Sequence, residues 1–346
     1  MQQPGWYLKR LRVMSGAEMA HRLAKRLRTI SLKLTAHDVP AADLEARDLR
    51  FLPPFIAPTP EELTRAAERI VAGRYTFFDL EDCELGDPPQ WNRDPLTRKA
   101  AAVRRASTID YRDEREVGNI KYLWEPNRHL HLPTLAQAHA LTGDSRYALA
   151  IRTQIESWIE QCPVGRGPNW VSPLELGIRL INWSLTWQLL GGLRARLFST
   201  AEGEAFRDRW LSSIYQQSRM IANNLSRYSS ANNHLIGEAA GVYIAASTWP
   251  LWPQIGVWGE RCRQVLEAEC VRQNAPDGGN REQAFSYQTF VLDFLLLAGL
   301  AARARGENFS PVYWRRIELM IDFLASMTDV AGRLPMVGDG DDGQVV

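Results

Sequence analysis

The chain has 346 residues, with 41 Lys plus Arg against 40 Asp plus Glu and a formal net charge of +1. That length supports one large domain or two modest ones with a substantial core, and so even a charge balance offers no overall field aimed at nucleic acid. Twelve Trp are present; their flat faces can stack on sugars, although packing is the commoner use of any one of them. The four cysteines, Cys83, Cys162, Cys262 and Cys270, show neither CxxC nor short metal spacing, which favours a reducing compartment.

The N-terminal stretch is basic and amphipathic. Leu8, Leu11, Met19, Leu23, Leu27 and Ile30 recur at helical intervals among eight Lys/Arg and one Glu. No apolar run follows the first basic residues, so a secretory signal is not expected, and the expected location is the cytoplasm. The main reading of residues 1–52 is a helical segment packed on the domain with a solvated basic side. Peripheral docking on a membrane surface is the alternative.

PPFIAPTP (53–60) cannot be regular and reads as a linker. EELTRAAERIVAG then predicts a short helix ending at Gly73, followed over 74–95 by short strands and turns. The segment 110–130 is polar and aromatic. Beyond it helices dominate: LPTLAQAHAL, a TGD stop and restart, then SRYALAIRTQIESWIEQC closed by Pro163. SPLELGIRLINWSLTWQLLGG opens with Ser172 as predicted N-cap, Pro173 in the first turn and Glu175 at the capping-box position. Five further helical stretches follow, and nothing after residue 130 alternates with period two. The pattern is all-α, a stack of antiparallel hairpins that bundles, solenoids and α/α toroids would all satisfy. No fixed repeat period is visible, and polar clusters fall at alternate connections (169–175, 231–234, 277–287), which tilts the reading toward a toroid.

Four polar clusters could carry chemistry. Asn233 and His234 stand just before an Ala/Gly-rich helix, where backbone N–H groups and the helix dipole favour an anion. Tyr287 sits at the head of a strongly apolar helix, five residues after Glu282, and could move a proton into a polar cavity. In NWVSPLELGIRLINW, Glu175, Arg179 and Asn182 share one helix stripe, with Glu175 and Arg179 spaced to pair, and Trp170 and Trp183 offer sugar-stacking surface. Trp124, Glu125, Asn127 and Arg128 crowd together at a loop–helix junction. Capping, core packing and plain ion pairing remain open for each cluster. No HExxH accompanies His129 and His131, the GDGDDG stretch (338–343) lacks an EF-hand register, and no P-loop, GxGxxG or GxSxG occurs; neither metal nor cofactor is expected.

Six stretches in this order, WEPNRH (124–129), ALTGDSRY (140–147), NWVSPLELGIRLINW (169–183), SSANNHLIGEAAG (229–241), PDGGNREQAFSYQTF (276–290) and LPMVGDGDDG (334–343), resemble the N-terminal helical domain of the heparinase II/III-like polysaccharide lyases. The resemblance implies an incomplete (α/α) toroid over residues 53–336 and the start of a β-sandwich domain at 337–346, the rest of that domain being absent from this chain. It implies β-elimination at a uronate of an acidic polysaccharide. Asn233 would neutralise the carboxylate, with His234 assisting, and Tyr287 would protonate the departing oxygen. Trp124, Glu125, Asn127, Arg128, Trp170, Glu175, Arg179, Asn182, Trp183 and Glu282 would bind the sugar chain. The implied partners are an acidic glycan and the chain's own β-sandwich domain, in a setting such as exopolysaccharide production. The competing expectations are a toroid glycoside hydrolase drawing its carboxylates from Asp277, Glu282 or Glu175, and a non-catalytic glycan-binding module.

Overall fold

The computed structural model describes residues 14–16, 18–20, 39–45, 59–338 and 343–346. Most of the expected N-terminal helical segment 1–52 and most of the 53–60 linker lie outside the described residues. Helix α1 (Pro60–Val71) begins with a reciprocal capping box between Thr59 and Glu62 and buries Leu63, Ala67 and Ile70 along one stripe. Gly73, at φ +74°, turns the chain into a hairpin of β1 (Arg74–Phe77) and β2 (Leu80–Glu84). The predicted short strands are therefore present, and Tyr75 and Phe77 are their buried face.

Helices α2 (Glu114–Val117) and α3 (Ile120–Asn127) lead into the main body. There follow α4 (His131–Thr142), α5 (Ser145–Gln161), α6 (Pro173–Leu190), α7 (Ala201–Asn224), α8 (Asn233–Thr248), α9 (Pro253–Gln273), α10 (Phe285–Ala304) and α11 (Pro311–Met327). The TGD signal works as the sequence suggests: Gly143 ends α4 in the left-handed region and Asp144 caps α5. The capping box foreseen at α6 does not form. Ser172 makes no side-chain cap bond, and the Glu175 carboxylate that would complete the box is taken by Arg128.

Among the described residues α4, α6, α8 and α10 pack successively as an inner layer, with α5, α7, α9 and α11 outside them. This is an incomplete (α/α) toroid. Burial follows the layers: α8 is buried at every position from Leu235 to Thr248, whereas α9 buries a stripe running from Ile255 through Cys262 and Leu266 to Cys270. The inner layer is closed by glycine. A Cβ on Gly177 would lie 2.9 Å from the Gly237 carbonyl, and one on Gly241 would overlap the backbone of Gly177. The core also holds Trp91, Trp158, Trp170, Trp183, Trp187, Trp210 and Trp249. All four cysteines are free and buried.

The two spaced histidines belong to this core. His129 Nδ1 accepts from Trp183 Nε1 at 2.8 Å, and His131 Nε2 lies 2.6 Å from Gln154 Oε1. Burial drives the pKa of His129 well below 6.5 and that of His131 down to about 4. The unfolded chain takes up protons below pH 6.5 that the buried rings refuse. Their stabilisation is therefore intact above pH 6.5 and lost as the pH falls toward 4. His131 alone accounts for about 3 kcal/mol of that loss. Urea titrations between pH 7 and 4 should show the decline, and His131→Asn should flatten it.

Candidate active site

Three inner helices begin at one rim. The N-terminal ends of α6, α8 and α10, with α3 and the loops beside them, enclose a cleft of ≈ 450 Å³. Helix N-termini carry partial positive charge and unsatisfied N–H groups, so the fold itself makes this rim suited to an anion. Trp124, Arg128, Glu175, Asn233, His234, Glu282 and Tyr287 all line it. The sequence brought these residues from four separate clusters, and the toroid collects them.

Asn232 caps α8 by accepting from the His234 N–H, which leaves Asn233 as the first helical residue. Glu282 reaches across from the loop before α10. Its Oε1 accepts from the Asn233 backbone N–H at 2.8 Å and its Oε2 from Asn233 Nδ2 at 2.9 Å. This two-pronged clamp is held by a chain of amides. Glu282 N–H donates to Asn280 Oδ1 (2.9 Å), Asn280 N–H donates to Gln288 Oε1 (2.6 Å), and Asn280 Nδ2 donates to Asn274 Oδ1 (3.0 Å). Glu282 thus fixes the Asn233 amide while itself lining the cleft. One turn beyond His234 stands Glu238, fully buried, accepting from Ser226 N–H (2.6 Å) and Oγ (2.7 Å).

Arg128 anchors the opposite wall. It donates from Nε and Nη2 to Glu175 at 2.8 and 3.1 Å and from Nη1 to Glu125 at 2.8 Å. All three side chains are largely withdrawn from water. Trp124 donates from Nε1 to the Pro168 carbonyl, and its ring lies 5.5 Å from that of Tyr111. The Arg112 guanidinium stands 5.2 Å from the Tyr111 centroid. Tyr111, Arg112, Lys121 and Glu238 line the cleft without having been singled out from sequence. Only Glu238 carried a readable signal, its four-residue spacing from His234, which puts both on one helix face.

Six expected sugar contacts do not open onto the cleft. Trp170 is fully buried and donates to the Cys162 carbonyl, and Trp183 is tied to His129. Arg179 is also fully buried: it donates to the Asn127 carbonyl at 2.6 Å and Gln217 Oε1 at 3.0 Å, and its guanidinium lies 4.2 Å from the Trp158 ring centroid. Burial lowers its pKa to about 10, and the expected pairing with Glu175 is replaced by Arg128. Asn182 donates to the carbonyls of Ile178 and buried Val345, so residues 343–346 cover it. Asn127 spends its amide on Trp91, Leu123 and Trp158. Glu125 lies behind Arg128. For three of them the reason is position: Arg179, Asn182 and Trp183 sit more than one turn down α6, a helix buried all round. Asp277 lines a different, ≈ 570 Å³ cavity beside Phe285 and Phe323. Among the described residues no group of His, Cys, Asp and Glu could hold a metal ion.

The chain matches the heparinase II/III N-terminus over residues 67–346. It is similar to a heparin-sulfate lyase of Bacteroides stercoris, 24% identical over 227 residues that make up 59% of this chain and 33% of that protein. Among solved structures it resembles the heparan sulfate lyase HepC from Pedobacter heparinus, with a TM-score of 0.59 and 21% identity over 84% of this chain and 43% of that one. It also resembles a heparinase III, with a TM-score of 0.60 and 16% identity over 82% of this chain and 42% of that one. At these identities the structural likeness carries the fold. The chain spans between a third and a half of the length of these relatives.

Arg128 compensates two buried carboxylates at once. Arg128→Met should therefore cost roughly 3–5 kcal/mol in unfolding free energy, the usual consequence of stranding buried charge. Adding Glu175→Gln to that variant should recover part of the loss, as read from chemical denaturation midpoints.

Proposed function

Because the chain belongs to the heparinase II/III family through its N-terminal region, we propose that it is the helical half of a polysaccharide lyase acting on a uronate-containing acidic glycan. The observation that supports this reading most directly is the meeting of Asn233, His234 and Tyr287 in one cleft, at the positive ends of inner helices. Elimination at a uronate needs the carboxylate charge held so that the C5 proton becomes removable. A base takes the C5 proton, the C5–H electron pair forms the C4–C5 double bond, the C4–O bond breaks, and the departing oxygen takes a proton.

The carboxylate and the departing oxygen each have a group suited to them. The Asn233 amide retains a second N–H beyond the one given to Glu282, and at the positive end of α8 it offers a fixed donor to the enediolate that develops on the carboxylate. His234, next in the chain, adds an imidazole on the same wall. Tyr287, in the first turn of α10, supplies the proton to the leaving oxygen. Trp124 and Tyr111 give a sugar ring an aromatic shelf, and Arg112 beside them meets an acidic substituent. The relatives' names point to heparan sulfate as the first polymer to try, with hyaluronan and alginate beside it.

The test uses the full-length protein and the ultraviolet absorbance of the unsaturated uronate product. Tyr287→Phe should abolish product while polymer binding persists, since only the ionisable hydroxyl is lost. Asn233→Ala should cost about 10²–10³ in turnover, the usual size for removing one oxyanion donor. Glu282→Gln keeps the clamp's shape and one acceptor and should stay within about tenfold of wild type, because the lyase reading gives Glu282 no proton to move. An active Tyr287→Phe protein, or a fully inactive Glu282→Gln protein of unchanged thermal stability, would overturn the assignment, the second in favour of a hydrolase.

A further inference from the structure

Just outside the cleft the toroid carries a second concave site of more basic character. Arg261, Gln264, Ala268 and Arg272 recur at i, i+3, i+7 and i+11 and so form one stripe of α9. That stripe faces Arg227 and Tyr228 on the connection between α7 and α8, and together they bound a cavity of ≈ 490 Å³. Its charged lining is three arginines against one acid, Glu269. Glu269 is nearly buried and already accepts from Arg272 Nη1 at 2.8 Å and Gln273 Nε2 at 2.9 Å. The charged lining of the cleft, by contrast, is Arg112, Lys121 and Arg128 against Glu175, Glu238 and Glu282, a formal sum of zero.

The two sites adjoin. Ser226 lines the cleft and Arg227 the basic groove; His234 lines the cleft and Leu235 the groove. Arg272 lies at the end of α9, near the rim where α8 begins, and Arg261 lies roughly 16 Å further along the helix axis. Between the sites Tyr228, 46% exposed, is held at φ 60° in the left-handed region, which an aromatic residue rarely adopts. A flat ring there, at the head of a basic groove, suits the face of a sugar on its way from one site to the other.

We propose that the groove formed by Arg227, Tyr228, Arg261 and Arg272 binds a second stretch of the same acidic polysaccharide, through sulfate or carboxylate groups a few sugars from the bond being cut. The inference rests on the lyase reading for its ligand. It explains how a cleft with no net charge gathers a polyanion: the attraction sits beside the chemistry, where positive charge does not compete with the internally bonded carboxylates.

The experiment compares long heparan sulfate chains with a heparan sulfate tetrasaccharide on the full-length protein. Arg227→Ala/Arg272→Ala should raise KM for the long chain about tenfold, a loss of about 1.4 kcal/mol, and leave kcat and tetrasaccharide turnover unchanged. The salt dependence of long-chain binding should fall in slope by about one to two, as expected when two cationic contacts are removed from a polyelectrolyte complex. Arg272→Glu, a single change on an exposed helix end, should reproduce the effect if the double variant folds poorly. Unchanged long-chain KM and salt slope would overturn the proposal, as would equal losses on long and short substrates. If wild type forms no unsaturated product, the lyase reading fails, and long-chain affinity then decides the groove by itself. Weakened binding with a shallower salt slope in Arg272→Glu upholds it, and unchanged binding refutes it.

Discussion

The contact on which the rest of the molecule depends is the approach of α6 and α8 at Gly177, Gly237 and Gly241. With hydrogen in place of a side chain at each, the two backbones touch. A Cβ on Gly237 would also meet the Phe294 ring at 2.8 Å, so α10 is drawn into the same junction. Gly177 lies two residues from Glu175, and Gly237 four from Asn233. A junction this tight, this close to the helix starts, leaves those starts little freedom to slide or splay. The cleft is therefore a consequence of core packing: its walls are the first turns of helices whose second and third turns cannot separate.

Polar groups inside the toroid extend that constraint to the remaining wall. Helix α3 has only a short apolar face, yet its end is tied down from three sides. Asn127 bonds Trp158 and the Trp91 carbonyl, its own carbonyl accepts from Arg179, and Arg128 bridges Glu125 to Glu175. Buried ion pairs of this kind contribute little net stability, because desolvation offsets most of the attraction. Their consequence here is geometric. A bidentate guanidinium between α3 and α6 sets the distance across the cleft, and Arg179 stacked on Trp158 fixes α3 against α5 and α6. Residues that looked from sequence like sugar contacts are part of this internal frame.

The fold was largely legible because helical periodicity, caps and stops are local. The short helix before Gly73, the Gly143–Asp144 break and the absence of alternation after residue 130 each report on a few neighbouring residues. The site was legible where residues sit at helix starts, as Asn233, His234 and Tyr287 do, since polar groups there are placed by the chain's own direction. It was not legible along α6. Arg179, Asn182 and Trp183 have the composition of a binding stripe, but a helix enclosed on all sides turns every stripe inward, and enclosure is a tertiary property. Conversely, Arg112 and Lys121 reach the cleft from segments whose local pattern points nowhere. The basic stripe of α9 needed the opposing Arg227 loop to become a groove.

The clamp between Glu282 and Asn233 sets the last condition on how such a cleft works. On the proposed lyase reading, a uronate carboxylate seeking the Asn233 amide would arrive close to a carboxylate already there, and like charges a few ångströms apart repel strongly once water is excluded. What offsets that repulsion is the partial positive charge at the starts of α8, α6 and α10, worth about 0.3–1 kcal/mol for each helix end, together with the internal bonding of Glu175 and Glu238. The margin is small. On that reading a site built this way discriminates by where its donors point and recruits poorly by charge alone, and the proposed groove of arginines, outside the cleft and along one flank, would complement it.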